Sequence, residues 1–200
     1  KQVIQLTAAF ILVCFVFGAT AQATACNKTV YLTFDTGNMA VAEKVAEILR
    51  RQDVKATFFL SNEKTFRGDF ALDDSWKAYW QERLKEGHHF GSHTYDHTYF
   101  VKDGPKGEVF VKSQFGPKAG TTVLYNEASM CKEIRRVDQR FVELTGQPLQ
   151  KIWRAPGGKT SPDPSSIIQV VVSCRRRCAR WWGSTRRWDR STGWRAGFFR

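Results

Sequence analysis

The hydrophobic pattern after residue 28 alternates between short apolar runs and amphipathic segments. Residues 30–34 (VYLTF) and 55–60 (KATFFL) are rich in β-branched and aromatic side chains, which is typical of buried strands. Residues 41–51, between them, place their larger apolar side chains on one face of a predicted helix. Strands that alternate with amphipathic helices predict a βα-repeat architecture with a parallel sheet.

The same alternation continues through the middle of the chain. We predict a helix over residues 76–86, a short strand over His89–Ser92 and a fourth strand over residues 151–154. The longest predicted helix covers residues 126–145, where apolar side chains recur at spacings of four and three, and Gly146 is placed to end it.

Two stretches interrupt this order. Residues 101–122 contain several glycines and two prolines and are predicted to be an insertion-like loop with a hairpin around residues 109–111. Beyond about residue 168 neither a helical nor a strand period is present. The regular fold is therefore expected to occupy residues 28–168.

The basic charge of the chain is concentrated at its end. Residues 171–200 hold nine arginines and one aspartate, so eight of the twelve net positive charges lie there, with four of the seven tryptophans. A nucleic-acid-binding arm is one interpretation. We prefer out-of-frame translation of residues 169–200, because the codons for Trp181-Trp182-Gly183 read as Val-Val-Gly one base earlier if the Arg180 codon ends in G. No nucleic-acid partner is then expected.

The N-terminal residues 1–25 have the pattern of a signal peptide. Their apolar run, residues 8–19, is shorter than the ~20 residues that a membrane-spanning helix needs, and A-x-A sites end at Ala23 and Ala25. We therefore expect a secreted or periplasmic protein without stable membrane insertion. A lipid anchor at Cys26 is the weaker alternative, because alanine occupies position 23, where leucine is usual.

Four cysteines remain after the predicted cleavage. In an oxidising compartment Cys26 could pair with Cys131, but the sequence does not give the distance between their Cα atoms. Two unpaired thiols are an equally acceptable interpretation, and both remain open here.

Three polar clusters follow predicted strands, namely TFDTG at residues 33–37, SHTYDH at 92–97 and RAPGG at 154–158. Barrels of β and α units build active sites at the carboxyl ends of their strands. His93 and His97 stand at i and i+4, which lets two imidazoles face one ion if the turn is helical. Each cluster alone is also compatible with an ordinary turn or helix cap, so their order carries the argument.

In that order the clusters resemble the motifs of the NodB-homology polysaccharide deacetylases, carbohydrate esterase family four. Those motifs are T-F-D-D-G, H-S/T-x-x-H/S and R-x-P-x-G, and the flanks TVYLTFD, VKATFF and GSHTYDH are also similar. The resemblance implies an α/β fold, a distorted and incomplete (β/α) barrel of parallel strands, with the C-terminal strands missing from this chain.

The resemblance also implies a metal-dependent hydrolase that removes N-acetyl groups from a polysaccharide or oligosaccharide such as peptidoglycan, a chitin-like polymer or an exopolysaccharide. Asp35 would be the general base, and Arg154 would orient it. His93 and His97 would bind a divalent metal, usually zinc, which polarises the amide carbonyl and activates water. A backbone N–H near Gly157 would help to hold the oxyanion.

Two departures from the family pattern favour an alternative, a catalytically inactive carbohydrate-binding relative on the same fold. Thr36 occupies the position of a metal-binding aspartate, so either Asp35 turns to the metal or Asp96 assists from outside the coordination sphere; both remain open. No histidine follows His97, so the general acid expected from the family's late motifs has no counterpart.

Overall fold

The computed structural model of the protein describes residues 30–163 and 165–167, and the account below concerns the unit that begins at Tyr31. The predicted signal peptide, the alternative lipid anchor and the basic tail lie outside the described residues. Within the described part of the chain, no helix is both long and apolar enough to cross a membrane.

In the described part of the chain, three parallel strands form the first sheet: β1 (Thr33–Asp35), β2 (Thr57–Leu60) and β3 (His89–Ser92), in the order β1-β2-β3. A single parallel bridge joins Ser92 of β3 to Trp153. The predicted α/β class with a parallel sheet is confirmed. The fourth predicted strand is wrong in extent, because it is reduced to this one bridge.

Within residues 30–163, three α-helices accompany the sheet: α1 (Ala42–Arg51), α2 (Lys77–Lys85) and α3 (Glu127–Thr145). The side chain of Asn126 caps α3 by accepting the N–H of Ser129, and Gly146 ends the helix in the left-handed conformation, with φ of 75°. The predicted C-terminus of the long helix is therefore confirmed.

An aromatic ladder crosses the parallel sheet and forms the centre of the core. Phe34, Phe58 and Phe90 occupy paired positions of the three strands, with ring centroids 5.5 and 5.8 Å apart. Trp80 of α2 packs edge-on against both Phe58 and Phe90, and Phe141 of α3 packs on Phe90. Such buried aromatic pairs stabilise a core by more than the burial of their apolar area. The sheet is therefore a well-packed support for the residues at its carboxyl edge.

A second, antiparallel sheet consists of β4 (Thr98–Asp103), β5 (Val109–Ser113) and β6 (Thr122–Tyr125), in the order β4-β5-β6. The predicted hairpin is present, but the prediction of a loop over residues 101–122 is wrong. Val109 and Val111 are fully buried and belong to one cluster with residues of α3. Burial of their apolar side chains thus stabilises these short segments as strands, although glycines separate them along the chain.

Cys131 lies on α3, is 7% exposed and is disulfide-bonded. Its partner lies outside the described residues, so pairing with Cys26 stays a prediction. The alternative of an unpaired thiol is wrong for Cys131.

Candidate active site

The predicted site residues meet at the carboxyl edge of the parallel sheet. Asp35 ends β1, His93 follows the last residue of β3, and Arg154 follows the bridge at Trp153. The His93 N–H donates to the carbonyl of Leu60 at 2.7 Å, and the Arg154 N–H donates to that of Ser92 at 3.0 Å. Because parallel strands end at the same edge, three distant parts of the chain come together.

Three contacts hold the guanidinium of Arg154. Its Nη1 donates to Oδ1 of Asp35 at 2.8 Å, its Nη2 donates to the hydroxyl of Thr33 at 2.7 Å, and it lies 4.1 Å from the ring centroid of Phe59. A charged hydrogen bond of this kind orients the carboxylate. The other oxygen, Oδ2 of Asp35, then lies 3.8 Å from Nε2 of His93.

Residues 93–97, here called the histidine loop, bring the His93 and His97 rings to a centroid distance of 5.0 Å. Nδ1 of His93 lies 2.9 Å from the carbonyl oxygen of Arg154, and Nδ1 of His97 lies 2.7 Å from Oε1 of Gln114. The carbonyl oxygen of Arg154 can only accept, so Nδ1 of His93 carries the proton and its neutral ring keeps a lone pair on Nε2. With Oε1 of Gln114 toward His97, the same tautomer is expected for His97. Burial lowers the pKa of both histidines, which favours this neutral form.

Asp96, between the two histidines, faces α3. Its carboxylate accepts from Nη1 of Arg136 at 2.8 Å, and its N–H donates to Oε2 of Glu133 at 3.2 Å. The ring of Tyr95 lies 4.0 Å from the Arg136 guanidinium. Asp96 therefore anchors the histidine loop to the helix, in keeping with a supporting role outside any coordination sphere.

Asp35, Thr36 and Glu63, here called the carboxylate edge, form the other side of the site. The Thr36 hydroxyl accepts the N–H of Ser61 at 2.9 Å and donates to Oε1 of Glu63 at 3.0 Å. Glu63 is 8% exposed. Burial raises the pKa of Glu63 to about 7; the Thr36 hydrogen bond opposes this shift and the charge of Asp35 adds to it.

The side chains at this site are of the kinds that bind a divalent metal, but few of them are available as ligands. Two neutral imidazoles with free Nε2 atoms are ligands that zinc accepts, and Asp35 is the carboxylate beside them. Thr36, with its hydroxyl bound to Ser61 and Glu63, adds no anion. Across residues 30–163 and 165–167, no group of three or more His, Cys, Asp or Glu side chains is arranged to hold a metal.

The ring of Tyr99 lies between Gly157 and the histidine pair. The φ of Gly157, +64°, is in the left-handed region, and a Cβ added there would come within 3.0 Å of the Tyr99 ring. The ring of Tyr99 in turn packs edge-on against His97, with centroids 4.8 Å apart. A glycine is therefore required where the backbone approaches this wall of the site.

The sequence interpretation missed Glu63, Tyr99 and Gln114. Glu63 follows the end of β2, so the rule that places functional groups at the carboxyl ends of parallel strands could have found it. Tyr99 and Gln114 belong to the antiparallel sheet or its end, in a stretch largely predicted to be a loop. No sequence signal pointed to them.

A profile of the polysaccharide deacetylase family matches residues 22–173, and the chain belongs to this family of NodB-homology proteins. The predicted resemblance is thereby confirmed. The match covers the carboxylate edge, the histidine loop and Arg154 together.

Among its relatives, YheN of Bacillus subtilis is 38% identical over 141 residues, which are 70% of this chain and 40% of YheN. The peptidoglycan-N-acetylglucosamine deacetylase PgdA of Listeria monocytogenes is 35% identical over 85 residues, 42% of this chain and 16% of PgdA. The chitin deacetylase structure from the fungal pathogen Colletotrichum lindemuthianum superposes with a TM-score of 0.49 and 24% identity, over 71% of this chain and 50% of that one. The chain thus spans less than half the length of these two curated relatives.

Proposed function

We propose that this protein hydrolyses the N-acetyl group of an N-acetylated glycan, with zinc as the divalent ion. The observation that carries the proposal is the linked set Arg154–Asp35–His93, with a second neutral imidazole from His97 beside it. The substrate class comes from the family, together with the N-acetylglucosamine in the name of PgdA. Peptidoglycan, a chitin-like polymer and an N-acetylated exopolysaccharide all belong to this class, and each lies where an exported protein would meet it.

In this proposal Asp35 takes the proton from the attacking water. One carboxylate oxygen is bound to Arg154, which leaves the other, beside His93, to accept the proton. His93 and His97 would hold the metal, which when bound polarises the acetyl carbonyl and acidifies water. The backbone N–H near Gly157 is the proposed donor to the oxyanion.

Acetate release from N-acetylated chitooligosaccharides and from peptidoglycan, with zinc added, tests this function. We expect release by the wild-type chain and release about 10²- to 10⁴-fold slower by Asp35→Asn. The matched control is Asp53→Asn, which changes an exposed aspartate whose carboxylate pairs with Lys55. Equal release by all three proteins would contradict the assignment of Asp35.

The second candidate is a glycan-binding protein without catalysis. It is favoured by the neutral Thr36, whose hydroxyl is already engaged by Ser61 and Glu63. A protein of this kind would bind the oligosaccharide in calorimetry but release no acetate at any zinc concentration. The Asp35→Asn substitution would leave its affinity for the oligosaccharide unchanged.

A further inference from the structure

Gln114 follows the last residue of β5, so it comes from the antiparallel sheet and not from the parallel sheet that bears the predicted site. Its Oε1 lies 2.7 Å from Nδ1 of His97. The hydroxyl of Tyr99, the residue whose ring packs against His97, donates to the same oxygen at 3.0 Å. The amide oxygen of Gln114 thus has two neighbours that can donate to it, the Tyr99 hydroxyl and Nδ1 of His97.

The backbone of Gln114 holds the same loop a second time. Its N–H lies 3.1 Å from the carbonyl oxygen of Asp96 and 3.3 Å from that of His97, and the N–H of Phe115 also reaches Asp96 at 3.1 Å. His97 has φ of +48° and Thr94 has φ of +65°. Residues other than glycine rarely adopt this left-handed backbone conformation, and they keep it where surrounding contacts impose it.

The two histidines differ in how their tautomers are set. His93 donates to a backbone carbonyl, that of Arg154, which is present whatever side chain occupies position 154. His97 depends on a side-chain amide, which offers an accepting oxygen on one side and a donating nitrogen on the other. With the nitrogen toward His97, the proton would move to Nε2 and the ring would lose its lone pair on the site side.

We propose that Gln114 is a positioning residue that holds His97 in the tautomer with a free Nε2, so that the antiparallel sheet sets the metal affinity of the histidine pair. The effect on metal affinity rests on the proposed function, whereas the tautomer is a property of the metal-free protein. Groups that hydrogen-bond metal-binding histidines typically change metal affinity 10- to 100-fold. Because Gln114 is exposed and water competes for Nδ1, we expect about tenfold, the lower end.

The test uses the full chain with ¹⁵N-labelled histidine, its Gln114→Leu and Gln114→Glu variants, and Gln81→Leu as a matched control. Gln81 lies on α2 and donates to the carbonyl of Leu144 at 2.9 Å, away from the histidine loop. Long-range ¹H–¹⁵N spectra of the metal-free proteins report the His97 tautomer, and calorimetric titration with zinc alone reports the affinity.

We expect wild type, Gln81→Leu and Gln114→Glu to keep the proton of His97 on Nδ1, since glutamate retains the acceptor. Gln114→Leu should give a mixture of tautomers and bind zinc about tenfold more weakly. A wild-type His97 protonated on Nε2 would overturn the inference, as would unchanged tautomer and affinity in Gln114→Leu. If that variant does not fold, the wild-type and Gln114→Glu spectra still decide.

A failure of the proposed function would look different from a failure of this inference. If the wild-type chain binds no zinc while its His97 is protonated on Nδ1, the metal-dependent function fails and the positioning role of Gln114 stands. If the wild-type chain binds zinc and Gln114→Leu changes neither the His97 tautomer nor the zinc affinity, only the positioning role fails.

Discussion

The carboxylate edge and the histidine loop face each other across the site, and their polar groups are satisfied in different ways. Around the histidine loop, α3 and the end of β5 supply partners: Arg136 for Asp96, and Gln114 for His97. At the carboxylate edge, Arg154 pairs with Asp35, whereas the buried carboxyl of Glu63 accepts a hydrogen bond from the neutral Thr36, and the charge of Asp35 adds to the rise in its pKa.

This difference has a physical consequence. The two imidazoles of the histidine loop are preorganised, neutral nitrogen ligands, and they cost little to desolvate once each Nδ1 is paired. The carboxylate edge places the buried carboxyl of Glu63 near the exposed Asp35, so a proton on Glu63 relieves both its desolvation and the repulsion. A site with one anionic side and one neutral side suits a chemistry that needs both a base and nitrogen ligands. Four measurements test this contrast.

The largest expected effect is on catalysis, at the carboxylate edge. Asp35→Asn removes the proposed base and its charge beside His93 while it retains the shape of the side chain. General bases contribute about 10²- to 10⁴-fold, so we expect acetate release to fall by about that factor. A rate within threefold of wild type would mean that Asp35 is not the base.

The next effect is on the histidine loop itself. His93→Ala and His97→Ala should each abolish zinc binding in calorimetry, because each removes one of two nitrogen donors. His89→Ala, at an exposed position, should leave zinc affinity unchanged, and so should His88→Ala, provided that this buried variant folds. Equal loss in all four variants would indicate a loose histidine-rich patch.

A third measurement addresses the pH dependence of stability. The pKa of Glu63 rises from 4.5 to about 7 on folding, so the folded protein binds this proton more tightly than the unfolded chain does. Stability from this group is present below pH 4.5 and is lost as the pH rises to about 7. Glu63→Gln keeps the hydrogen bond to Thr36 without the charge and should be about 1–3 kcal/mol more stable than wild type above pH 7 in urea unfolding.

Glu86 provides a control of opposite sign for that experiment. Burial alone would raise its pKa, but hydrogen bonds and charges from Arg83 and Arg50 hold it at about 2. Stability from this group is present above the ordinary glutamate pKa and is lost as the pH falls toward 2. Glu86→Gln should therefore be less stable than wild type at neutral pH. Equal pH profiles for the two variants would contradict the contrast.

The smallest expected effect concerns Thr36. A carboxylate at this position would add an anionic oxygen to the histidine pair, so Thr36→Asp should tighten zinc binding about tenfold, or about 1.4 kcal/mol. Because the Thr36 hydroxyl lies 3.0 Å from Oε1 of Glu63, the gain should be larger when Glu63→Gln removes the neighbouring charge. Thr36→Asn is the neutral control, and an unchanged dissociation constant in Thr36→Asp would place position 36 outside the coordination sphere.

The sequence was sufficient wherever a residue's role follows from its place on a periodic element. Strand β3 occupies the predicted residues, and α3 ends at the predicted Gly146, because alternation, helical spacing and a left-handed glycine are local properties. The proximity of Asp35, His93 and Arg154 also follows from local rules, since each comes after a parallel strand or bridge at one edge of the sheet.

The tertiary structure alone decided which groups support those residues. The hydrogen bonds between His97 and Gln114, between Arg136 and Asp96 and between Thr36 and Glu63 join positions 17, 40 and 27 residues apart. No periodicity of the chain encodes such pairs. The first two depend on how the second sheet and α3 pack against the first sheet, and the third depends on the loops that follow β1 and β2. The sequence thus determined the family and which residues follow the parallel strands at one edge of the sheet, and packing decided the hydrogen-bond partners and orientation of their side chains.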